Sequence, residues 1–133
     1  MAALLDTDIV IHLRDGDAWT REQARALDPP FFLSAISRVE LENGIWQDAK
    51  WTEVRRAALN ALLPQFEVLG FGTEEIAAYA AILADTSYSK RKVADRMTAA
   101  TALVHDLPLV TLNGADFRDI AGLKLIEWVR PAG

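Results

Sequence analysis

Apolar residues occur along this chain in short runs, separated by longer stretches in which they recur at helical spacing. The first run, Leu4-Leu5-Asp6-Thr7-Asp8-Ile9-Val10-Ile11, predicts a strand ending near Asp6 and a helix starting at or just after Thr7, with Thr7 or Asp8 as N-cap. Asp15-Gly16-Asp17 marks a break. Residues 18–27 have helical spacing and end at Asp28-Pro29-Pro30. Phe31 to Ala35 predicts a second strand, and Ser37-Arg38-Val39-Glu40 opens a helix reaching Trp46. A helix over 52–63 stops at Pro64, and Phe66 to Phe71 forms a third strand. Thr73 caps a helix over 74–85, the loop 86–89 follows, and a helix runs from about Val93 to His105. Its alanines at 94, 99, 100 and 102 suit close packing on a sheet. Leu109 to Leu112, closed by Asn113-Gly114, and Leu123 to Val129 complete the strands. Strands alternating with helices imply an α/β fold: a mostly parallel central sheet flanked by helices on both faces.

With 133 residues and no internal repeat or linker, a single domain is expected over 1–133. The longest nearly pure apolar run, Ile76 to Ala84, is too short to span a bilayer, so no membrane association is expected. The N-terminus has no basic region before an apolar run and no cleavage signal. The chain has no cysteine, which excludes disulfides and thiolate metal sites and makes the cytoplasm the expected compartment. A net charge of −5 argues against a general polyanion binder. It leaves open a nucleic-acid enzyme that grips phosphodiesters through a metal and a few local cations.

The acids carry the chemistry. An ionised carboxylate is costly to bury unless paired or bound to metal, and Asp6 closes an apolar strand. Ligands in parallel sheets collect at the carboxyl ends of the strands. Asp6 stands at the end of the first strand and Glu40 just past the second. Asp95 lies in the first turn of the helix before the fourth strand, and Asp116 just past that strand. Each has a plain structural alternative. Ser37 and Glu40 form a capping box by themselves. Asp95 complements a helix N-terminus, and Asp116 suits an Asx turn. Asp8 is either a helix cap or a support for a ligand. Taken together, clustered carboxylates repel one another, and a divalent cation removes the conflict. Oxygen donors suit Mg²⁺ or Mn²⁺ rather than zinc, and neither His12 nor His105 belongs to a metal set. The chain has no Gly-x-Ser-x-Gly elbow, Walker loop or Gly-x-Gly-x-x-Gly fingerprint.

At these motifs the chain resembles the PIN-domain ribonucleases, and within them the VapC-type toxins of bacterial toxin–antitoxin pairs. Leu4-Leu5-Asp6-Thr7-Asp8 is similar to the family's opening strand and first acid, and Ser37-Arg38-Val39-Glu40-Leu41 to its second-acid motif. Asp95-Arg96-Met97-Thr98-Ala99-Ala100-Thr101-Ala102 resembles its third-acid helix. Leu107 to Asn113, followed by Asp116-Phe117, resembles its closing motif. Two positions depart from the pattern: Thr98 stands where a bulky aliphatic residue is common, and Leu112 where arginine is common.

The resemblance implies a PIN-like three-layer sandwich and metal-dependent endonucleolytic cleavage of RNA, leaving a 5′-phosphate and a 3′-hydroxyl. Asp6, Glu40, Asp95 and Asp116 would be the catalytic, Mg²⁺- or Mn²⁺-holding acids, with Asp6 and Asp95 the most direct ligands. Thr7, Asp8, Thr111 and Asn113 would orient ligands or water around them. Arg38, Lys90, Arg91, Lys92 and Arg96 flank the acids and are the expected RNA-binding cations. A homodimer and a cognate antitoxin protein are implied as partners. Leu41, Ile45, Trp46 and Trp51 offer an apolar docking face, although Leu41 and Ile45 equally suit the core, while the tryptophans sit among polar neighbours. Two rivals remain. An inert PIN-like module would bind RNA or a partner without turnover. A haloacid-dehalogenase-type phosphatase would use Asp6 as nucleophile and Asp8 as acid, but leaves Glu40 unexplained.

Overall fold

The computed structural model describes residues 2–132. Five strands, β1 (Leu4–Leu5), β2 (Phe31–Ser34), β3 (Phe66–Leu69), β4 (Leu109–Thr111) and β5 (Leu125–Glu127), form one sheet in the order β3-β2-β1-β4-β5. Every pairing is parallel, with Leu4 opposite both Phe32 and Leu109. Parallel neighbours need crossover connections; the one from β4 to β5 holds only turns and a short 3-10 segment, and six α-helices among the described residues supply the others. These are α1 (Thr7–Arg14), α2 (Ala18–Ala24), α3 (Ala35–Trp46), α4 (Thr52–Leu62), α5 (Thr73–Thr86) and α6 (Val93–Val104).

Successive strand residues point to opposite faces, and the core divides accordingly. Ala3, Leu5, Phe31, Leu33 and Val110 pack against Ile9, Val10 and Leu13 of α1, Ala24 of α2, Leu41 and Ile45 of α3 and Leu59 of α4. On the other face, Leu4 and Leu109 meet Ile82 of α5, the alanines at 99, 100 and 102 of α6, and Phe117 and Ile120. The alanines let α6 lie close to the strands, as their spacing predicts. Among the described residues no helix is long and apolar enough to cross a membrane.

The chain builds outward from β1 to β2 and β3, then returns to lay β4 on the other side of β1. That reversal makes the carboxyl ends of β1 and β4 the switch point of the sheet, where a crevice opens in folds of this kind. Asp6 follows β1 directly, and Asn113 and Asp116 follow β4.

Three helix starts differ from expectation; in α5, Gly72 rather than Thr73 holds the N-cap position. Asp6 itself, not Thr7 or Asp8, is the N-cap of α1. The backbone N–H of Asp6 still donates to Val110 O at 2.9 Å, as a strand residue would, while its side chain caps the helix. α3 begins at Ala35 with Ser34 as N-cap, accepting from the Ser37 N–H at 3.0 Å. The expected capping box of Ser37 and Glu40 is therefore absent, and Glu40 lies beyond the first turn, free for another task.

Candidate active site

Asp6 is held from three directions. Its backbone completes the β1–β4 pairing. One carboxylate oxygen accepts the Thr7 N–H at 2.8 Å, and the other accepts the Thr111 hydroxyl at 2.7 Å. Thr111 is fixed in turn, because its oxygen accepts the Asn113 N–H at 3.0 Å. The Asn113 side-chain amide donates to Asp8 Oδ2 at 2.9 Å, leaving Asp8 Oδ1 buried without a hydrogen-bond partner.

Glu40 is positioned by a chain of hydroxyls. Thr7 Oγ1 lies 2.6 Å from Glu40 Oε1 and 2.8 Å from Ser37 Oγ. A hydroxyl has one proton and a carboxylate only accepts, so Thr7 donates to Glu40 and accepts from Ser37. Ser34 Oγ lies 3.1 Å from Ser37 Oγ and 3.2 Å from Thr98 Oγ1. Ser34, Ser37 and Thr98 are all buried. The chain thus links α6 to the acid edge, and it gives Thr98 a polar task where an aliphatic residue would only fill space. Thr98→Val keeps the volume and removes one hydroxyl from a buried network. The expected loss of stability is about 1 kcal/mol, read as a lower urea midpoint at unchanged slope.

Asp95, in the first turn of α6, and Asp116, at the end of a 3-10 turn over Gly114–Asp116, complete the edge. A Cβ at Gly114 would meet the carboxyl group of Glu127, which Arg118 holds at 2.7 and 2.8 Å, so a larger residue there would have to displace that side chain. Electrostatics show that the acids sense one another. Burial, then the neighbouring Asp8 and Glu40 charges, pushes Asp6 from its ordinary 3.8 up to about 7, against the pull of Thr111 and Thr7. Asp95 is raised to about 6 by burial and by the charges of Asp6, Asp116 and Glu40. Asp8 is raised as well, chiefly by burial, with Asp95 contributing. The four acids from four separate segments therefore share one electrostatic environment, together with Asp8.

The donor chemistry fits a hard divalent ion: oxygen atoms only, excess negative charge, and one buried carboxylate oxygen without a partner. Among the described residues, no three acidic or histidine side chains already form a group that could hold a metal. Several of their oxygens face hydroxyl and amide donors instead, so ligation would require side-chain rotation.

The five expected RNA-binding cations separate. Arg38 and Arg56 are both tied to Glu42, whose carboxyl they hold down at about 2. Lys92 lies 3.8 Å from Asp119. Arg96 is a correction: it is buried, donating to Ser87 O at 2.7 Å and lying 3.7 Å from Asp119, so it ties α6 to the preceding loop rather than meeting solvent. Lys90 and Arg91 are exposed, and Arg91 reaches Asp116. Sequence reasoning missed the Ser34–Ser37 relay and the Arg91–Asp116 pair. The Ser-x-x-Ser spacing at a helix start was the available signal for the first.

Sheet order, switch point and acid-lined edge together define a PIN-type α/β architecture. Residues 3–123 match the PIN domain family. "Ribonuclease VapC1" of Rickettsia felis is 32% identical over 132 residues, spanning 95% of this chain and 96% of the relative. The VapBC2 structure from Rickettsia felis, bound to a promoter DNA fragment, superposes with a TM-score of 0.83 at 22% identity, over 96% of this chain and 99% of that one. A toxin–antitoxin complex from Klebsiella pneumoniae superposes with a TM-score of 0.76 at 25% identity, again over 96% and 99%. The chain belongs to the PIN-domain family, in its VapC ribonuclease branch. This family match displaces the dehalogenase-type phosphatase alternative.

Proposed function

We propose that the chain is a divalent-metal-dependent endoribonuclease, the toxin of a toxin–antitoxin pair, acting at the edge built by Asp6, Glu40, Asp95 and Asp116. The observation that carries this reading is the elevation of Asp6 and Asp95, two acids from distant parts of the chain that are raised by burial and by neighbouring carboxylates, with the Asp6 charge among those acting on Asp95. PIN-domain ribonucleases are generally metal-dependent, and Asp6 and Asp95 are the acids with most to gain from a cation. Glu40 and Asp116 would complete the set for Mg²⁺ or Mn²⁺. When bound, such an ion supplies positive charge at the scissile phosphate and lowers the pKa of a water. The chain's own residues do the rest. Thr111 and the Thr7 N–H hold Asp6, the hydroxyl chain holds Glu40, and Asn113 holds Asp8, so the backbone places the acids at one edge and these donors set the orientation from which their side chains turn to a metal. Lys90 and Arg91 at the rim attract the RNA backbone, which explains how an acidic protein approaches a polyanion.

Partner contact has its own surfaces. Leu41 and Ile45 are fully buried, whereas Trp46 is 66% and Trp51 44% exposed. A groove of about 640 Å³ between α1, α2 and α4, lined by Leu13, Ala24, Leu27, Phe31, Ala58 and Leu62, lies toward the amino ends of the strands. These apolar surfaces suit an antitoxin segment and a second copy of the chain, the partners expected of this branch.

The test is cleavage of total bacterial RNA by the purified, partner-free chain with Mg²⁺, with Mn²⁺ and with EDTA, beside Asp95→Asn. Discrete fragments that need metal and vanish in the variant are expected. Equal cleavage by the variant would remove Asp95 from the site.

A further inference from the structure

The basic run before α6 has one member turned inward to the acids. Lys92 and Arg96 are taken up by Asp119, and Lys90 is exposed. Arg91 places Nη1 3.4 Å from Asp116 Oδ1. Its charge is felt further in, since it pulls Asp95 down while the surrounding acids push it up. The contact is single and long, and the Arg91 side chain is 72% exposed. A pair of that kind is weak, so a divalent ion among several carboxylates can displace it. Arg91 also sits on the 3-10 turn over Lys90–Lys92, which runs straight into the turn of α6 bearing Asp95. One short segment therefore presents both an acid and a movable guanidinium to the same edge.

We propose that Arg91 is a displaceable counter-cation of the acid site: it occupies Asp116 in the metal-free chain, yields that carboxylate when a divalent ion binds, and turns its guanidinium to the RNA phosphate being cut. The proposal rests on the nuclease reading above and adds a regulatory step to it. The two roles pull metal affinity and turnover in opposite directions. As a resident cation Arg91 competes with the metal. Once released, it offers a planar, always-charged fork suited to phosphate.

The experiment is Mn²⁺ titration of the full, EDTA-treated chain, following free Mn²⁺ by electron paramagnetic resonance, for the parent, Arg91→Gln, Lys90→Gln and Asp116→Asn. RNA cleavage is then measured at saturating Mn²⁺. Arg91→Gln is expected to bind Mn²⁺ about two- to fivefold tighter, the equivalent of a lost exposed pair, and to cleave at least about tenfold more slowly. Lys90→Gln, which removes the same charge without the contact, is expected to change Mn²⁺ affinity less. If Asp116→Asn weakens Mn²⁺ binding while Arg91→Gln leaves it unchanged or weaker, the counter-cation is overturned and the nuclease site stands. Tighter Mn²⁺ binding with undiminished cleavage overturns the phosphate role. If Asp116→Asn has no effect on Mn²⁺ either, the site assignment itself fails and the proposal falls with it.

Discussion

Asp6→Asn is expected to lower metal-dependent RNA cleavage by at least about a hundredfold while making the metal-free protein more stable at pH 8. The loss follows from charge: asparagine keeps an oxygen for the Thr7 N–H but offers a divalent ion no anion. The gain follows from burial. Asp6 is 7% exposed, and burial together with Asp8 and Glu40 opposes its ionisation. Asparagine removes that buried charge, at the cost of leaving the Thr111 proton without its carboxylate acceptor. The lost hydrogen bond costs about 1 kcal/mol and the relieved charge returns more, so a net gain of about 1–3 kcal/mol is expected in urea unfolding with EDTA present. A purely structural Asp6, serving only as the α1 N-cap, predicts cleavage at the parental rate, because asparagine caps equally well. A variant that is less stable than the parent and cuts at the parental rate would remove Asp6 from the metal set.

The order of elements is legible in the sequence because each buried strand is a short apolar run, and the helices between carry one or two apolar stripes. What sequence does not convey is which of several adjacent polar residues does a given job. Asp6, Thr7 and Asp8 can all cap a helix. The choice depends on where the last β1–β4 backbone bond falls, and that bond, from Asp6 N to Val110 O, joins residues more than a hundred positions apart. The same holds for Ser34 against Ser37, two serines one helical turn apart, of which the strand pairing with β3 leaves Ser34 as the cap. Arg96 looks like a member of an exposed basic run until the loop at Ser87 folds over it. Gathering the four acids, by contrast, needs only topology: strand ends and helix starts in a parallel sheet share an edge. Their positions could therefore be anticipated, while the hydroxyls and amides that aim them could not.

Metal-free stability is expected to fall as pH rises from about 4 to 8, the opposite of ordinary acid denaturation over that range. The sign follows from proton counting. Asp6 is raised from 3.8 to about 7 and Asp95 from 3.8 to about 6, so between these limits the folded chain binds more protons than the unfolded one. Stability then declines with pH until both acids are ionised in the fold. For Asp6 alone the full excursion corresponds to roughly 4 kcal/mol, and the Asp95 contribution overlaps it because the two acids repel one another. Against a typical total of about 5–15 kcal/mol this is large, and the melting temperature in EDTA should drop by at least about 5 °C between pH 5 and pH 8. Carboxyls held low, such as Glu42 beside Arg56 and Arg38, act in the opposite sense only at more acidic pH, as they protonate near 2. A divalent ion stabilises whichever form it binds, and it binds the ionised acids. Millimolar Mg²⁺ or Mn²⁺ should therefore restore the melting temperature at pH 8 and do little at pH 5, where protons already occupy the site. Thermal scans at both pH values, with EDTA and with metal, read the effect directly. A metal-free melting temperature that stays level or rises from pH 5 to 8 would mean that Asp6 and Asp95 ionise without penalty, and the electrostatic argument for a cation at this edge would fail.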